Sequence, residues 1–74
     1  MITEAYVVSV TTEIEVMGEH AQSLWAVIAN SSEEAIRLVQ VSIAPRATAD
    51  RTIGKLSSET IRRLGLEPGR PLHL

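Results

Sequence analysis

The sequence predicts a small α+β domain in which a mainly antiparallel sheet packs with two helices, in the order β-β-α-(β)-α-β. Three observations predict it: an N-terminal segment that alternates apolar and polar residues, an amphipathic segment that follows a helix cap, and a shorter capped segment with a helix stop signal. The chain has 74 residues. This length predicts a single domain over residues 1–74.

Residues 4–17 have the alternation of a long strand with one buried face. The side chains of that face are Tyr6, Val8, Val10, Thr12, Ile14 and Val16. A turn over residues 17–20 contains Gly18, and a second strand follows over residues 21–29. Both side-chain sets of this strand are apolar, which predicts a central strand or one covered on both faces. The two strands form a predicted antiparallel hairpin.

The first helix has the strongest local signals in the chain. Ser31 is a suitable N-cap, and Glu34 stands three residues later, as in a capping box. The apolar residues that follow at helical spacing are Ala35, Leu38, Val39 and Ile43. Pro45 limits the helix to residues before about residue 44.

The segment after this helix contains few apolar residues. Residues 44–52 have no large apolar side chain, which predicts a mobile loop. Residues 52–56 predict at most a short third strand, because Gly54 weakens it.

The second helix is predicted to be short. Ser57 is its N-cap, and Gly65 stands where a left-handed residue ends a helix, with Leu66 completing a Schellman motif. The Pro-Gly pair at residues 68–69 predicts a type II turn. Residues 71–74 then predict a final edge strand, where a leading proline is tolerated.

The predicted core is thin and aliphatic. The chain has no Phe, one Trp and one Tyr, and it has no cysteine to form a disulfide. A core of this kind without a covalent link predicts self-association. The predicted core residues are Val8, Val10, Ile14, Leu24, Trp25, Ile28, Ala35, Val39, Ile61 and Leu64.

The composition excludes several classes of function. The absence of cysteine excludes thiolate metal sites and cysteine nucleophiles. No stretch approaches the roughly 20 apolar residues of a membrane span, and the N-terminus lacks a signal peptide pattern, so we expect a cytoplasmic protein. The net charge is −2. It is unevenly distributed, with glutamates in the first half and cations in the second, which predicts an acidic face and a basic face.

Catalytic, metal and cofactor sites have little support in the sequence. His20 and His73 are far apart and have no carboxylate in a recognised ligand spacing. Glu13 and Glu15 alternate with apolar residues and are therefore expected on the solvent-exposed face of their strand, whereas general acid–base catalysis by two carboxylates needs one of them desolvated. The glycines match no phosphate-binding fingerprint. We therefore expect no cofactor and no enzymatic activity.

Two sets of residues are candidates for binding. A basic patch in the C-terminal half, suited to the phosphates of DNA or RNA, consists of Arg51, Lys55, Arg62, Arg63 and Arg70. The sequence pI of about 5.6 and the lack of interleaved aromatic residues count against this role. Trp25 is the other candidate: an exposed indole would contact a partner protein, whereas a buried one would belong to the core.

Residues 55–69 resemble two known kinds of domain. The segment Lys-Leu-Ser-Ser-Glu-Thr-Ile-Arg-Arg-Leu-Gly-Leu-Glu-Pro-Gly is similar to the segment before the last strand in AbrB-type swapped-hairpin DNA-binding domains. Its Leu-Gly-Leu-x-Pro-Gly part is similar to Mop/TOBE-type oxyanion-binding domains. The resemblance implies DNA or a small anion as a ligand. The first 50 residues fit neither family.

The leading functional hypothesis is a non-enzymatic binding or regulatory module that self-associates. The first alternative is a DNA- or RNA-binding regulator that uses the C-terminal basic patch. The second alternative is an accessory subunit or small-ligand-binding domain of an enzyme system, for which a pocket lined by Glu13, His20 or His73 would be the expected sign.

Overall fold

A computed structural model describes residues 4–13 and 20–74 of the chain. Its elements in chain order are β1 (Ala5–Glu13), β2 (His20–Ile28), α1 (Ser32–Gln40), β3 (Ala47–Leu56), α2 (Ser58–Leu64) and β4 (Leu72–His73). They confirm the predicted α+β class and element order. The predicted ends of the hairpin, residues 14–17 of the first strand and most of its turn, lie outside the described residues.

The four strands form one antiparallel sheet in the order β3-β1-β2-β4. β1 and β2 pair along their full described lengths, from Ala5 opposite Ile28 to Glu13 opposite His20. β1 is therefore the central strand with two long neighbours, whereas β4 covers only a short part of the outer edge of β2.

The prediction of a mobile loop over residues 44–52 is wrong, because β3 is a strand of ten residues. The residues of β3 that face α1 are small because they pack closely against the helix: Ala47 and Ala49 are buried beneath α1. Two register shifts in the pairing with β1 leave Asp50 and Ile53 without a direct partner residue. These bulges break the apolar alternation that would otherwise reveal a strand in the sequence.

The helix α1 lies across one side of the sheet. The Ser31 hydroxyl accepts a hydrogen bond from the Glu34 backbone amide at 3.1 Å, which confirms the predicted N-cap. The helix ends at Gln40, earlier than the limit set by Pro45, and Val41 is its C-cap. Its buried residues are Ala35 and Val39.

We expect Ser31→Ala to lower the free energy of unfolding by about 1 kcal/mol, because the Glu34 amide loses its acceptor at the helix start. Urea denaturation followed by circular dichroism measures this change. Ser58→Ala is the matched control, since Ser58 is an exposed first residue of α2 and not its cap. Equal effects of the two substitutions would contradict a capping role for Ser31.

The second helix also follows its predicted signals. The Ser57 hydroxyl accepts from the Thr60 amide at 3.2 Å. Gly65 has a φ of 67°, and the Leu66 amide donates to the Ile61 carbonyl at 3.3 Å, as a Schellman motif requires. Unlike α1, this helix contributes no buried side chain among the described residues.

The core is smaller and richer in alanine than the sequence predicts. Among the described residues, the buried hydrophobic side chains are Ala5, Tyr6, Val8, Val10, Ala26, Val27, Ala29, Ala35, Val39, Ala47 and Ala49. Four predicted core residues are confirmed, namely Val8, Val10, Ala35 and Val39. Leu24 and Leu64 are exposed, so their placement in the core was wrong; Trp25, Ile28 and Ile61 are half-buried, and Ile14 lies outside the described residues.

Candidate functional site

Exposed leucines gather on the side of the sheet opposite α1. Leu72 is the cross-strand partner of Ala26, and the Leu74 amide donates to the Leu24 carbonyl at 2.9 Å, so the three leucines share one face. Leu64 and Leu72 line the same shallow cavity of about 220 Å³, which joins α2 to this face. We call Leu24, Leu64, Leu72 and Leu74 the leucine surface.

Each member of the leucine surface is more than a third exposed. The exposed fractions are 40% for Leu24, 37% for Leu64, 37% for Leu72 and 50% for Leu74. Single exposed leucines are ordinary on protein surfaces, but a group of neighbours marks a contact site. The leucine surface therefore contains four of the six large hydrophobic side chains that are exposed among the described residues.

The position of α2 explains this exposure. β3 ends opposite Ala5, and after α2 the chain returns at Pro68 beside Ile28, so both connections of α2 lie at one end of the sheet. A second cavity, of about 450 Å³, lies along the apolar side of α2 between Ile61 and Leu66 and is lined by no residue of the sheet. The helix therefore extends past the end of the sheet and does not cover the leucine surface.

The strand residues of the predicted basic patch point to opposite sides of the sheet. Arg51 is the cross-strand partner of Ser9 and shares the side of the leucine surface. Lys55 is the partner of Tyr6 and lies on the side of α1, where its ammonium is 5.5 Å from the centre of the Tyr6 ring. The two cations therefore do not form one strip for a phosphate backbone.

The remaining cations of the patch lie on α2 and in the turn after it. Arg63 forms an ion pair with Glu59 at 2.9 Å, and Arg70 forms one with Glu67 at 3.0 Å. Arg62 lines the cavity beside Ile61 and has no ion-pair partner among the described residues. Two of these three arginines thus have a carboxylate neighbour that reduces their local positive charge.

A small polar cluster fixes the beginning of β1 to the end of β3. The Tyr6 hydroxyl donates to a Glu4 carboxylate oxygen at 2.8 Å, and the Lys55 ammonium lies 3.5 Å from the same carboxylate. The hydrogen bond from Tyr6 and the positive charge of Lys55 lower the pKa of Glu4. The same hydrogen bond raises the pKa of Tyr6. Lys55 is therefore the partner of Glu4 in an exposed ion pair.

Trp25 lies on the side of α1, at the border of the core. Its side chain is half-buried and packs against the buried cluster. The His73 ring stacks on it from β4, with 4.8 Å between ring centres and 18° between ring planes. Trp25 therefore belongs partly to the core and partly to the surface, and it lies on the opposite side of the sheet from the leucine surface.

Glu13, His20 and His73, whose convergence in a pocket would indicate catalysis, do not lie together. Glu13 and His20 are cross-strand partners at the end of the hairpin and both are exposed, whereas His73 lies on β4. In residues 4–13 and 20–74, no three histidine, aspartate or glutamate side chains are close enough together to hold a metal ion. None of the described helices is long and apolar enough to cross a membrane.

Comparison with protein families, curated proteins and solved structures gives no match for this chain. The resemblance of residues 55–69 to known domains therefore rests on local features, the helix cap, the Gly65 stop and the turn at Gly69, where φ is 77°. Helix ends and turns of this kind occur in unrelated folds.

Sequence reasoning missed the leucine surface because it assigned Leu24 and Leu64 to the core. In β2, Leu24 and Ala26 alternate with Trp25 and Val27, and both sets are apolar. Only the position of α1 decides that Val27 is buried beneath a helix and Leu24 is not. The sequence did contain one signal, namely that β2 is apolar on both faces. Such a pattern is typical of a strand that is covered on both faces.

Proposed function

We propose that this protein is a non-enzymatic binding module that self-associates, with the leucine surface as the contact between two copies. The observation that carries the proposal is the clustering of four leucines, each 37–50% exposed: Leu24, Leu72 and Leu74 lie on the side of the sheet away from α1, and Leu64 of α2 shares a cavity with Leu72. Burial of this face against its own copy removes apolar side chains from water, which is the main driving force for association.

The accessible surface area of the chain supports a second copy as the partner that covers the leucine surface. A folded monomer of 8.1 kDa exposes roughly 4,500 Å² by the usual scaling with mass. This chain exposes 5172 Å². The chain therefore exposes roughly 700 Å² more than a compact monomer of its mass, and contact with a second copy would remove part of this surface from water.

The shape of the chain agrees with this estimate. Its radius of gyration is 12.6 Å, compared with about 11 Å for a compact domain of this length. The molecule measures 46 × 20 × 17 Å, so one dimension greatly exceeds the others. A second copy placed against the long side would give a more compact assembly with a shared apolar centre.

Charge distribution favours a two-fold arrangement of the two copies. Glu13 lies at the end of β1 remote from α2, whereas Arg62 lies on α2, at the opposite end of the molecule. If the two copies are related by a two-fold axis through the leucine surface and run in opposite directions, Glu13 of one copy comes to the end where Arg62 of the other lies. Opposite charges at the rim then favour correct alignment of the dimer.

The nucleic-acid alternative has less support from the geometry. Arg51 and Lys55 lie on opposite sides of the sheet, and Lys55, Arg63 and Arg70 each have a carboxylate partner. A phosphate backbone is bound by several cations that follow one path. The accessory-subunit alternative predicts a pocket with Glu13, His20 or His73, and of these His73 lines a cavity of about 250 Å³ beside Trp25.

We expect the wild-type protein to be a dimer in size-exclusion chromatography with light scattering. Leu72→Glu places a carboxylate in the centre of the leucine surface, and we expect it to weaken the dimer at least roughly tenfold, because a buried unpaired charge is costly. Val41→Glu is the matched control. Val41 is 76% exposed at the end of α1, on the other side of the sheet, so this variant should remain dimeric.

Circular dichroism of both variants establishes that the fold is intact. A wild-type protein that remains monomeric at millimolar concentration would contradict the proposal, as would equal weakening by Leu72→Glu and Val41→Glu. Salt-dependent binding of duplex DNA by the wild type, lost on mutation of Arg51 and Arg62, would instead support the nucleic-acid alternative.

A further inference from the structure

The helix α2 is stabilised mainly by bonds within its own ends. The cap at Ser57 and the stop at Gly65 bond to the backbone of the helix, and none of its side chains is buried. Neither α1 nor any strand of the described chain packs extensively against it. Isolated helices shorter than about 12–15 residues are marginal in water, and α2 has only seven residues. Its apolar side therefore needs a partner that one copy does not supply.

The side of α2 along the cavity of about 450 Å³ combines apolar and charged groups. Ile61 and Leu66 are its apolar members, and both are half-buried. Arg62 is exposed beside them and, unlike Arg63, has no ion-pair partner among the described residues. An uncovered apolar strip beside an unpaired guanidinium suits a partner that presents an exposed carboxylate.

Such a carboxylate lies at the other end of the molecule. Glu13 is opposite His20 at the end of the hairpin, is exposed, and has no ion-pair partner in residues 4–13 and 20–74. The nine residues of β1 extend about 30 Å and separate Glu13 from the end of the sheet where α2 begins. Glu13 and Arg62 of one copy therefore cannot meet, whereas those of two copies can.

Distances along the sheet favour a contact between α2 of one copy and the hairpin end of the other. The middle of the leucine surface, between Leu24 and Leu72, is about 17 Å along β2 from His20 and about 10 Å from Ile28. Beyond Ile28, the seven residues of α2 extend up to about 10 Å further. A two-fold axis through this middle therefore brings α2 of one copy to the level of Glu13 of the other.

We propose that α2 of each copy packs on the hairpin end of the second copy, with the Arg62 guanidinium of one bound to the Glu13 carboxylate of the other. This inference rests on the proposed self-association and names the helix that self-association orders. A two-fold dimer contains the contact twice. The stability of α2 then depends on the dimer, because only the second copy covers its apolar side.

Charge reversal tests the ion pair. We expect Arg62→Glu and Glu13→Arg each to weaken the dimer at least roughly tenfold, because each variant brings like charges together twice per dimer. An equimolar mixture of the two variants should recover the wild-type affinity to within about threefold, since a mixed dimer has one natural and one reversed ion pair. Light scattering over a dilution series measures these affinities.

Two variants of α1 are the matched controls. Arg37→Glu and Glu33→Arg make the same charge changes on exposed side chains across the sheet from the leucine surface. Neither should change the affinity of the dimer by more than about twofold, because solvent and salt screen these distant charges. Circular dichroism establishes the fold of each variant.

Amide hydrogen exchange tests the ordering of α2. The Ile61 amide donates to the Ser57 carbonyl at 3.0 Å, and it should exchange at least roughly tenfold more slowly in the dimer than in the diluted monomer. The Ala35 amide of α1 should gain less protection, because α1 packs on the sheet of its own copy in either state.

Three results would overturn the inference and leave the leucine surface as the dimer contact, provided that Leu72→Glu still weakens the dimer. These are reversal variants no weaker than their controls, a mixture that does not recover the affinity, or equal exchange of the α2 amides in monomer and dimer. A wild-type protein that remains monomeric at millimolar concentration would instead remove the proposed function and this inference together.

Discussion

Val8→Ala is expected to lower the free energy of unfolding by about 2 kcal/mol, a large part of the stability of a domain this small. Val8 is completely buried in the central strand, and it is one of the largest side chains that the core buries fully. The substitution removes two carbon atoms, worth about 1.6 kcal/mol of transfer free energy, and leaves a cavity that adds to the cost.

Thermal denaturation at a fixed protein concentration measures this effect, because the stability of a self-associating chain depends on concentration. A loss of about 2 kcal/mol lowers the Tm by about 10 °C in a domain of this length. Val41→Ala is the control, since Val41 is 76% exposed and its truncation should change the free energy of unfolding by less than about 0.5 kcal/mol. A Tm shift of 2 °C corresponds to a change of at most roughly half a kcal/mol in the free energy of unfolding. If the Tm of the Val8→Ala variant is within 2 °C of wild type, β1 is not the centre of the core.

Gln40→Ala should lower the free energy of unfolding by about 2 kcal/mol, for a different reason. The Gln40 side chain accepts from the Ala49 amide at 2.8 Å and donates to the Ala47 carbonyl at 3.1 Å. The Gln40 side chain therefore forms the hydrogen bonds that a neighbouring strand would otherwise form with the backbone at the outer edge of β3. Without it, two backbone groups of buried residues lose their partners.

The same substitution should also increase aggregation, because an unpaired strand edge can pair with another chain. Urea denaturation measures the stability, and light scattering at elevated protein concentration measures the aggregation. Gln22→Ala is the matched control, since Gln22 is exposed on β2. If both glutamine variants have the same stability and solubility, the Gln40 amide does not protect the edge.

The alanine-rich core and the leucine surface both affect the hydrophobic stabilisation of the chain. Among the described residues, six of the eleven buried hydrophobic side chains are alanines, which bury little apolar area. The larger side chains Leu24, Leu64 and Leu72 remain partly exposed. Covering these exposed leucines with a second copy would add to the hydrophobic stabilisation of the chain, which is the physical argument for the proposed self-association.

Local features of the fold could be predicted from the sequence because the atoms that create them are neighbours in the chain. The Ser31 and Ser57 caps bond to amides three residues ahead. Gly65 ends α2 through bonds within the last turn of the helix. The period-two pattern of β1 likewise predicted a strand with Val8 and Val10 on its buried face, because alternation depends on the geometry of a single strand.

The candidate sites could not be predicted in the same way. The length of β3 depends on pairing with β1 and on the contact of Ala47 and Ala49 with α1, and small residues at these positions resemble a loop when the sequence is considered alone. The stack of Trp25 and His73 joins residues that are distant in the chain. Both features depend on which elements become neighbours.

The sequence by itself therefore determined the α+β class, the element order, the starts of both helices and the end of α2, because these depend on interactions within a few residues. The tertiary structure alone decided which apolar set of β2 packs beneath α1. Val27 faces α1 and is buried, whereas Leu24 faces away and joins Leu72 and Leu74 at the surface. A strand that is apolar on both faces leaves this choice open, and the side on which the single packing helix lies settles it.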